Sequence, residues 1–302
     1  MAAGGPSLAF LDLQAENNNR RIMMRRSYTS LFLAPIIGAV LLLLGVLPVL
    51  RVSAANMSDD PAARRIMEKV DARDDGQSMT ADMKMVLIDK NNEKRDRIMR
   101  LFSMDKGPDT YVLIFFTAPP SVKDTGFLTY DYDDPDKDDD QWLYLPALKK
   151  TKRIAASDKT DSFMGSDFSY ADMTKSELDN YHYKLLKEGK VYGHKVWIIE
   201  AIPRNQRVID TYGYTKSVVF VRQDNYVIVR AVSWLAKSNE LKYMDVKKLE
   251  KIDNIWIPTE VHMITKRGKA TIHKTILTRT NVKFNLPMDA DMFTVRRLEK
   301  GL

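Results

Sequence analysis

The chain has 302 residues, no cysteine and only four histidines, a composition that excludes disulfide scaffolds, cysteine nucleophiles and cysteine metal clusters. The absence of cysteine also excludes a lipobox. The net charge of +7 is too small to indicate a nucleic-acid-binding protein, because residues 1–54 hold five arginines against two acids and the remainder carries only +4.

The first segment of the chain has the composition of an export signal. Four arginines between positions 20 and 26 precede an uncharged run from 27 to 50, and residues 52–54 supply a cleavage pattern. We therefore predict that residues 1–54 are an N-terminal extension with a secretory signal peptide, cleaved near Ala54 and Ala55, and that the mature protein is periplasmic. The alternative is a retained membrane anchor, because the run from Leu31 to Leu50 is long enough to span a bilayer.

Residues 55–302 are predicted to form one domain, since no flexible linker divides them. Asp60 and Pro61 form a helix start, and after Gly76 the hydrophobic period changes from about four to two. Strands are predicted at residues 79–87, 95–104, 111–118, 126–132, 142–145, 181–186, 195–202, 216–222, 226–235, 240–250, 255–265 and 269–284. Hairpin turns such as Glu188-Gly189 and Arg267-Gly268 indicate antiparallel pairing. The predicted fold is α+β, with one curved antiparallel sheet of about eleven strands and one or two helices.

The segment from 139 to 173 has the most unusual composition in the chain. A strand at 142–145 is followed by a basic run and then by a loop at 157–173 that is rich in turn-forming Ser, Asp and Gly. The same loop contains several large apolar side chains, which a solvated loop would not favour unless they cover a core or a ligand. We therefore predict that this loop is a mobile lid, in which Gly165 adopts a backbone conformation that is unfavourable for residues with a Cβ atom.

The sequences YLPALKK, KRI and SDKTDSFMGSDFSYADM occur in this order within that segment. Together with KIDNIWIPTEVHMITKRGKATIHKTILTRTNVKFN and DADMFTVRRLEKG near the C-terminus, they resemble the outer-membrane lipoprotein-sorting family, also called LolA-like. The resemblance spans most of residues 55–301. It implies a strongly curved antiparallel half-barrel whose concave apolar face, lidded by helices and loops, encloses a cavity for acyl chains.

Two groups of residues are candidates for the ligand site. Unbranched methionines and aromatic side chains suit an adaptable apolar lining, and a basic run can contact anionic headgroups or a partner protein. The predicted apolar lining and lid consist of Met83, Met85, Leu113, Phe115, Trp142, Tyr144, Phe163, Met164, Phe168 and Tyr170. The predicted rim for a headgroup or partner consists of Lys149, Lys150, Lys152 and Arg153.

The sequence predicts no catalytic residue, metal or cofactor. The aspartates between 131 and 140 do not fit a calcium loop, because Asp139 stands where Gly is needed and Leu145 where the bidentate Glu belongs. The four histidines occur singly in strand patterns and are predicted to be structural. No histidine lies near the serines of the loop to act as a base.

These features predict a non-enzymatic periplasmic carrier that binds the acyl chains of lipoproteins or lipids. An inner-membrane transporter of the RND or MMPL type is the predicted donor. Two alternatives remain: an accessory subunit of such an exporter, and an envelope-stress sensor with the same fold.

Overall fold

The computed structural model describes residues 59–134 and 136–302, so the predicted signal peptide lies outside the described residues. Thirteen strands form one continuous antiparallel sheet. The strands are β1 Ser78–Asp89, β2 Lys94–Lys106, β3 Asp109–Ala118, β4 Gly126–Asp131, β5 Asp140–Leu145, β6 Lys150–Arg153, β7 Tyr181–Val191, β8 His194–Pro203, β9 Tyr214–Arg222, β10 Ile228–Leu235, β11 Glu240–Ile252, β12 Ile255–Arg267 and β13 Ala270–Phe284.

The sheet is curved and open, and its order is β6-β5-β4-β3-β2-β1-β13-β12-β11-β10-β9-β8-β7. Strands that follow one another in the chain are neighbours, except β6 and β7, and the pairing of β1 with β13 in the centre joins the two halves. The edges are therefore β6 and β7. This architecture confirms the predicted α+β half-barrel, with thirteen strands instead of about eleven.

Three α-helices lie in the described part of the chain: α1 Pro61–Asp71, α2 Gln206–Tyr212 and α3 Val295–Lys300. The predicted start of α1 is confirmed, since the Asp60 carboxylate accepts a hydrogen bond from the Ala62 amide at 2.8 Å and Pro61 occupies the first helical position. Helices α2 and α3 were not predicted. They have seven and six residues, too few to show a helical hydrophobic period.

Two details of the predicted strands are wrong. No strand was predicted at the basic run, which forms most of β6, a four-residue edge strand. Glu188 and Gly189 lie inside β7, and the β7–β8 turn is at Tyr192 and Gly193, which have φ angles of 50° and 83°. Positive φ at both positions is typical of a type I′ hairpin turn, which suits strand twist.

The two faces of the sheet bury different clusters. Ile114 and Phe116 on β3 belong to the cluster that also contains Met83 and Met85, and we call this side the inner face. The intervening Leu113 and Phe115 point to the other side, the outer face, where Phe293 and Leu298 of the C-terminal segment cover them. Strand β3 is therefore buried on both faces, which is what its continuous apolar run from Tyr111 to Phe116 predicts.

Candidate functional site

The loop from residue 154 to 180 crosses the inner face as a chain of short 3-10 turns. Phe163 is fully buried beneath it, with its ring centroid 5.0 Å from that of Phe127, 5.7 Å from Tyr170 and 6.1 Å from Phe116. This aromatic cluster packs the first part of the loop onto β3 and β4. Phe163 is therefore a core residue.

Gly165 has a φ of 78°, which confirms that this position needs a conformation unfavourable for other residues. A Cβ at Gly165 would contact only Leu87, at 3.8 Å. The requirement for glycine here is thus one of backbone conformation, and space alone would allow a side chain.

A buried carboxylate fastens the tip of the loop. Asp167 accepts hydrogen bonds from the hydroxyls of Thr265 at 2.6 Å and Thr275 at 2.7 Å, and its Oδ2 lies 2.6 Å from Nδ1 of His273. The Asp167 amide also donates to Thr275 Oγ1 at 2.9 Å. These groups attach the tip to β12 and β13, so the loop is anchored where its composition indicated a mobile segment.

A second carboxylate fastens the end of the loop. Asp172 accepts hydrogen bonds from the Tyr214 hydroxyl at 2.7 Å, Lys242 Nζ at 3.0 Å and the Ser169 amide at 2.8 Å. Burial, reinforced by the charge of Asp172, raises the pKa of Tyr214 well above its ordinary value. The loop is consequently tied to β9 and β11 as well as to β12 and β13.

An apolar cavity of about 530 Å³ lies on the inner face beneath α1 and the end of the loop. This volume is within the range of about 300–1,000 Å³ for small-molecule pockets. The cavity is lined by Met67, Val70, Phe168, Ala171, Leu178, Tyr181, Tyr183, Ala201, Tyr212, Tyr214, Val219, Ile228, Met244 and Met263 among its larger or apolar residues. Its charged end is lined by Asp71, Arg73, Asp75 and Lys175.

Phe168 is the only one of the ten predicted lining residues that borders this cavity. Its ring packs against the inner-face cluster of β1 to β5 and also against a second cluster that contains Val246 and Val261. Phe168 therefore separates the densely packed half of the inner face from the half that holds the cavity.

The other nine predicted lining residues lie elsewhere. Five of them belong to the inner-face cluster and do not line the cavity, two on β1 and three in the loop itself: Met83, Met85, Phe163, Met164 and Tyr170. Four lie on the outer face with the C-terminal segment: Leu113, Phe115, Trp142 and Tyr144. Trp142 and Tyr144 do not face the loop, because alternation along β5 turns Leu143 to the loop and its two neighbours to the opposite side.

The predicted basic rim does not border the cavity either. Lys149 to Arg153 lie at or in β6, the sheet edge opposite β7, whereas the cavity lies beneath β7 to β12. Lys152 pairs with Asp158 at 2.9 Å, and Arg153 pairs with Asp140. Their side chains are about two-thirds exposed, so these surface pairs contribute little to stability.

The residues that do form the cavity come mainly from α1 and from β7 to β12, and sequence reasoning did not select them. One signal was present: Tyr181 and Tyr183 alternate on β7 with more exposed residues, which marks a strand with one buried face. Nothing in the local sequence showed that this face borders a space instead of a packed core.

Two carboxyl groups with raised pKa values adjoin the segment around Lys175 that lines the cavity. Asp131 Oδ2 accepts a hydrogen bond from the Lys175 amide at 2.7 Å, and burial, together with the charges of Asp139 and Glu177, raises the pKa of Asp131 to about 7. Burial also raises the pKa of Glu177 to about 7, with nearby Asp133 acting in the same direction.

We expect these groups to make the protein less stable as the pH rises. A carboxyl whose pKa is higher in the folded state stabilises the fold fully below its unfolded value, here 3.8, and this contribution is lost as the pH passes through about 7. Asp131→Asn should therefore flatten the pH dependence of the unfolding free energy and should be more stable than wild type at about pH 8. Denaturant unfolding of both proteins at several pH values measures this; parallel curves would contradict it.

The helices of residues 59–134 and 136–302 all lack the length and apolar character needed to cross a bilayer. In the same residues no group of three or more His, Cys, Asp or Glu side chains is arranged to hold a metal ion.

Several solved structures share this fold. A family described as "Uncharacterized protein" matches residues 108–300. A structure from Vibrio parahaemolyticus, described as an outer membrane lipoprotein-sorting protein domain, is 30% identical, with a TM-score of 0.71 over 79% of this chain and 98% of that one. A DUF1329 family protein from Desulfovibrio piger is 28% identical, with a TM-score of 0.73 over 80% of this chain and 99% of that one.

A LolA superfamily protein from Nitrosomonas europaea shares the fold at 17% identity, with a TM-score of 0.59 over 78% of this chain and 98% of the other. No curated protein matches the chain.

Proposed function

This chain belongs to the LolA-like family of outer-membrane lipoprotein-sorting proteins, and from this premise we propose that it is a non-enzymatic periplasmic carrier for acyl chains of lipoproteins or lipids. The observation that carries the proposal is the apolar cavity of about 530 Å³ on the inner face, bordered by α1 and the anchored loop.

The energetics of acyl chains support this role. Burial of one methylene group is worth about 0.8 kcal/mol, so exposure of an acyl chain of about sixteen carbons to an aqueous compartment carries a large free-energy penalty. A cavity lined by Met67, Met244 and Met263 removes that penalty, and unbranched thioether side chains adapt to ligands of different shape.

Because burial of the acyl chain is so favourable, its release is difficult. A carrier therefore needs an energised donor, an acceptor that binds the chain more tightly, or a conformational change that opens the cavity. The donor that we propose is an inner-membrane transporter of the RND or MMPL type. Opening would require the loop to leave its contacts with β9 and β11 to β13.

The experiment that tests the carrier function is native mass spectrometry of protein purified from its own cells, followed by extraction and identification of bound molecules. We expect an acylated ligand at a stoichiometry close to one per chain. Protein that carries no acylated molecule, when it is purified without detergent and is folded, would contradict the proposal.

A substitution that fills the cavity provides a second test. Val219 on β9 lines the cavity, so Val219→Trp should occupy part of its volume and lower the amount of bound lipid several-fold. Thr215→Trp is the matched control, because Thr215 lies on the same strand, is exposed and does not line the cavity. Equal lipid content in the two variants would show that the ligand lies elsewhere.

A further inference from the structure

The turn between β7 and β8 carries two lysines that oppose each other. Lys190 and Lys195 are directly paired across the strands, both are exposed, and neither forms an ion pair within the described part of the chain. Like charges at directly opposite positions destabilise a hairpin. The fold alone gives no reason for this arrangement, whereas an anionic partner would compensate for it.

An exposed aromatic ring lies beside these lysines. Tyr192 is 56% exposed at the turn, and its hydroxyl donates a hydrogen bond to Asp245 at 2.6 Å. The Arg230 guanidinium and the Lys247 ammonium lie 5.5 Å and 5.0 Å from the centroid of the ring. The strand register places Lys190 and Lys195 on the opposite face of the hairpin from Arg230. We call the end of the hairpin, with Lys190, Tyr192, Lys195, Arg230 and Lys247, the tip surface; its four basic groups and the acid Asp245 give a net charge of +3.

Tyr192 and Lys247 also line a depression of about 150 Å³ together with Arg222. Arg222 is ion-paired with Asp224, and Arg230 and Lys247 are ion-paired with Asp245. Lys190 and Lys195 are therefore the basic groups of this hairpin that a partner would have to neutralise.

We propose that the tip surface docks on an anionic phospholipid bilayer. Each basic residue near an anionic membrane surface contributes about 1 kcal/mol to binding. Tyrosine favours the interface between headgroups and acyl chains, and Leu186, which is 43% exposed on the same hairpin, adds apolar area. This mixture of cations, an aromatic ring and an aliphatic side chain suits a lipid surface better than an acidic protein.

The test compares binding to vesicles of phosphatidylglycerol mixed with phosphatidylcholine and to vesicles of phosphatidylcholine alone, by co-sedimentation. The protein is purified from cells that express the full chain, so that residues 1–58 are processed identically in every variant. The double variant Lys190→Gln, Lys195→Gln should lower the partition coefficient on anionic vesicles roughly thirtyfold. The pair Lys190→Arg, Lys195→Arg keeps both charges and should bind like wild type.

Lys149→Gln with Lys150→Gln is the control matched in charge, because these lysines are also exposed but lie at the opposite edge of the sheet. A loss in the tip variant alone, reversed by arginine, supports the proposal. An equal loss in both variants would show that net charge alone accounts for binding, and this would overturn the proposal. Equal binding of wild type to the two vesicle compositions would also overturn it and would leave an acidic protein as the partner. The amount of lipid bound in the cavity is measured separately, so failure here is distinguishable from failure of the carrier function.

Discussion

Phe163→Asp is expected to lower the unfolding free energy by about 4 kcal/mol or more, and the variant will not accumulate as folded protein if the total stability is modest. Phe163 is fully buried against Phe116, Phe127 and Tyr170, so a carboxylate there would be desolvated without a partner. Phe115→Asp, on the outer face, should behave in the same way.

Phe168→Asp is the informative comparison, because Phe168 is only partly buried and borders the cavity. We expect a smaller loss of stability, about 1–2 kcal/mol, but a large loss of bound lipid, since the new carboxylate would face acyl chains. Thermal unfolding of lipid-free protein and mass spectrometry of bound lipid measure the two effects separately. If Phe168→Asp remains folded and retains its lipid, Phe168 does not contact the ligand.

Asp167→Ala is expected to release the tip of the loop and to lower the unfolding free energy by about 2–4 kcal/mol. The substitution leaves Thr265, His273 and Thr275 without the carboxylate that they share, in a position where the Asp167 side chain is only 1% exposed. His273→Ala should cost less, because the two threonine hydroxyls continue to bind Asp167.

Limited proteolysis is the direct measurement of loop release, and cleavage within residues 157–173 should accelerate strongly in Asp167→Ala. Asp161→Ala is the control, because Asp161 is an exposed carboxylate in the same loop for which no side-chain partner occurs in residues 59–134 and 136–302. If both variants are cleaved at the same rate, the bonds of Asp167 do not hold the loop in place.

The sequence by itself determined most of the secondary structure and the class of the fold. Period-two alternation identified the long strands, and Asp60-Pro61 marked the start of α1. The continuous apolar run from Tyr111 to Phe116 indicated that β3 is buried on both faces. These signals are local, since a strand or a helix cap is encoded within a few residues. The local composition also predicted the need for glycine at position 165 and a loop whose apolar side chains cover a core or a ligand.

Only the tertiary structure decided which residues border the cavity. Alternation shows that Leu113 and Ile114 point to opposite faces, but it does not show which face the loop covers and which the C-terminal segment covers. The partners of Asp167 lie about a hundred residues away on β12 and β13, and those of Asp172 lie on β9 and β11. The cavity exists because α1 and the end of the loop meet over β7 to β12 without filling the space between them, a result of long-range packing that no local pattern encodes.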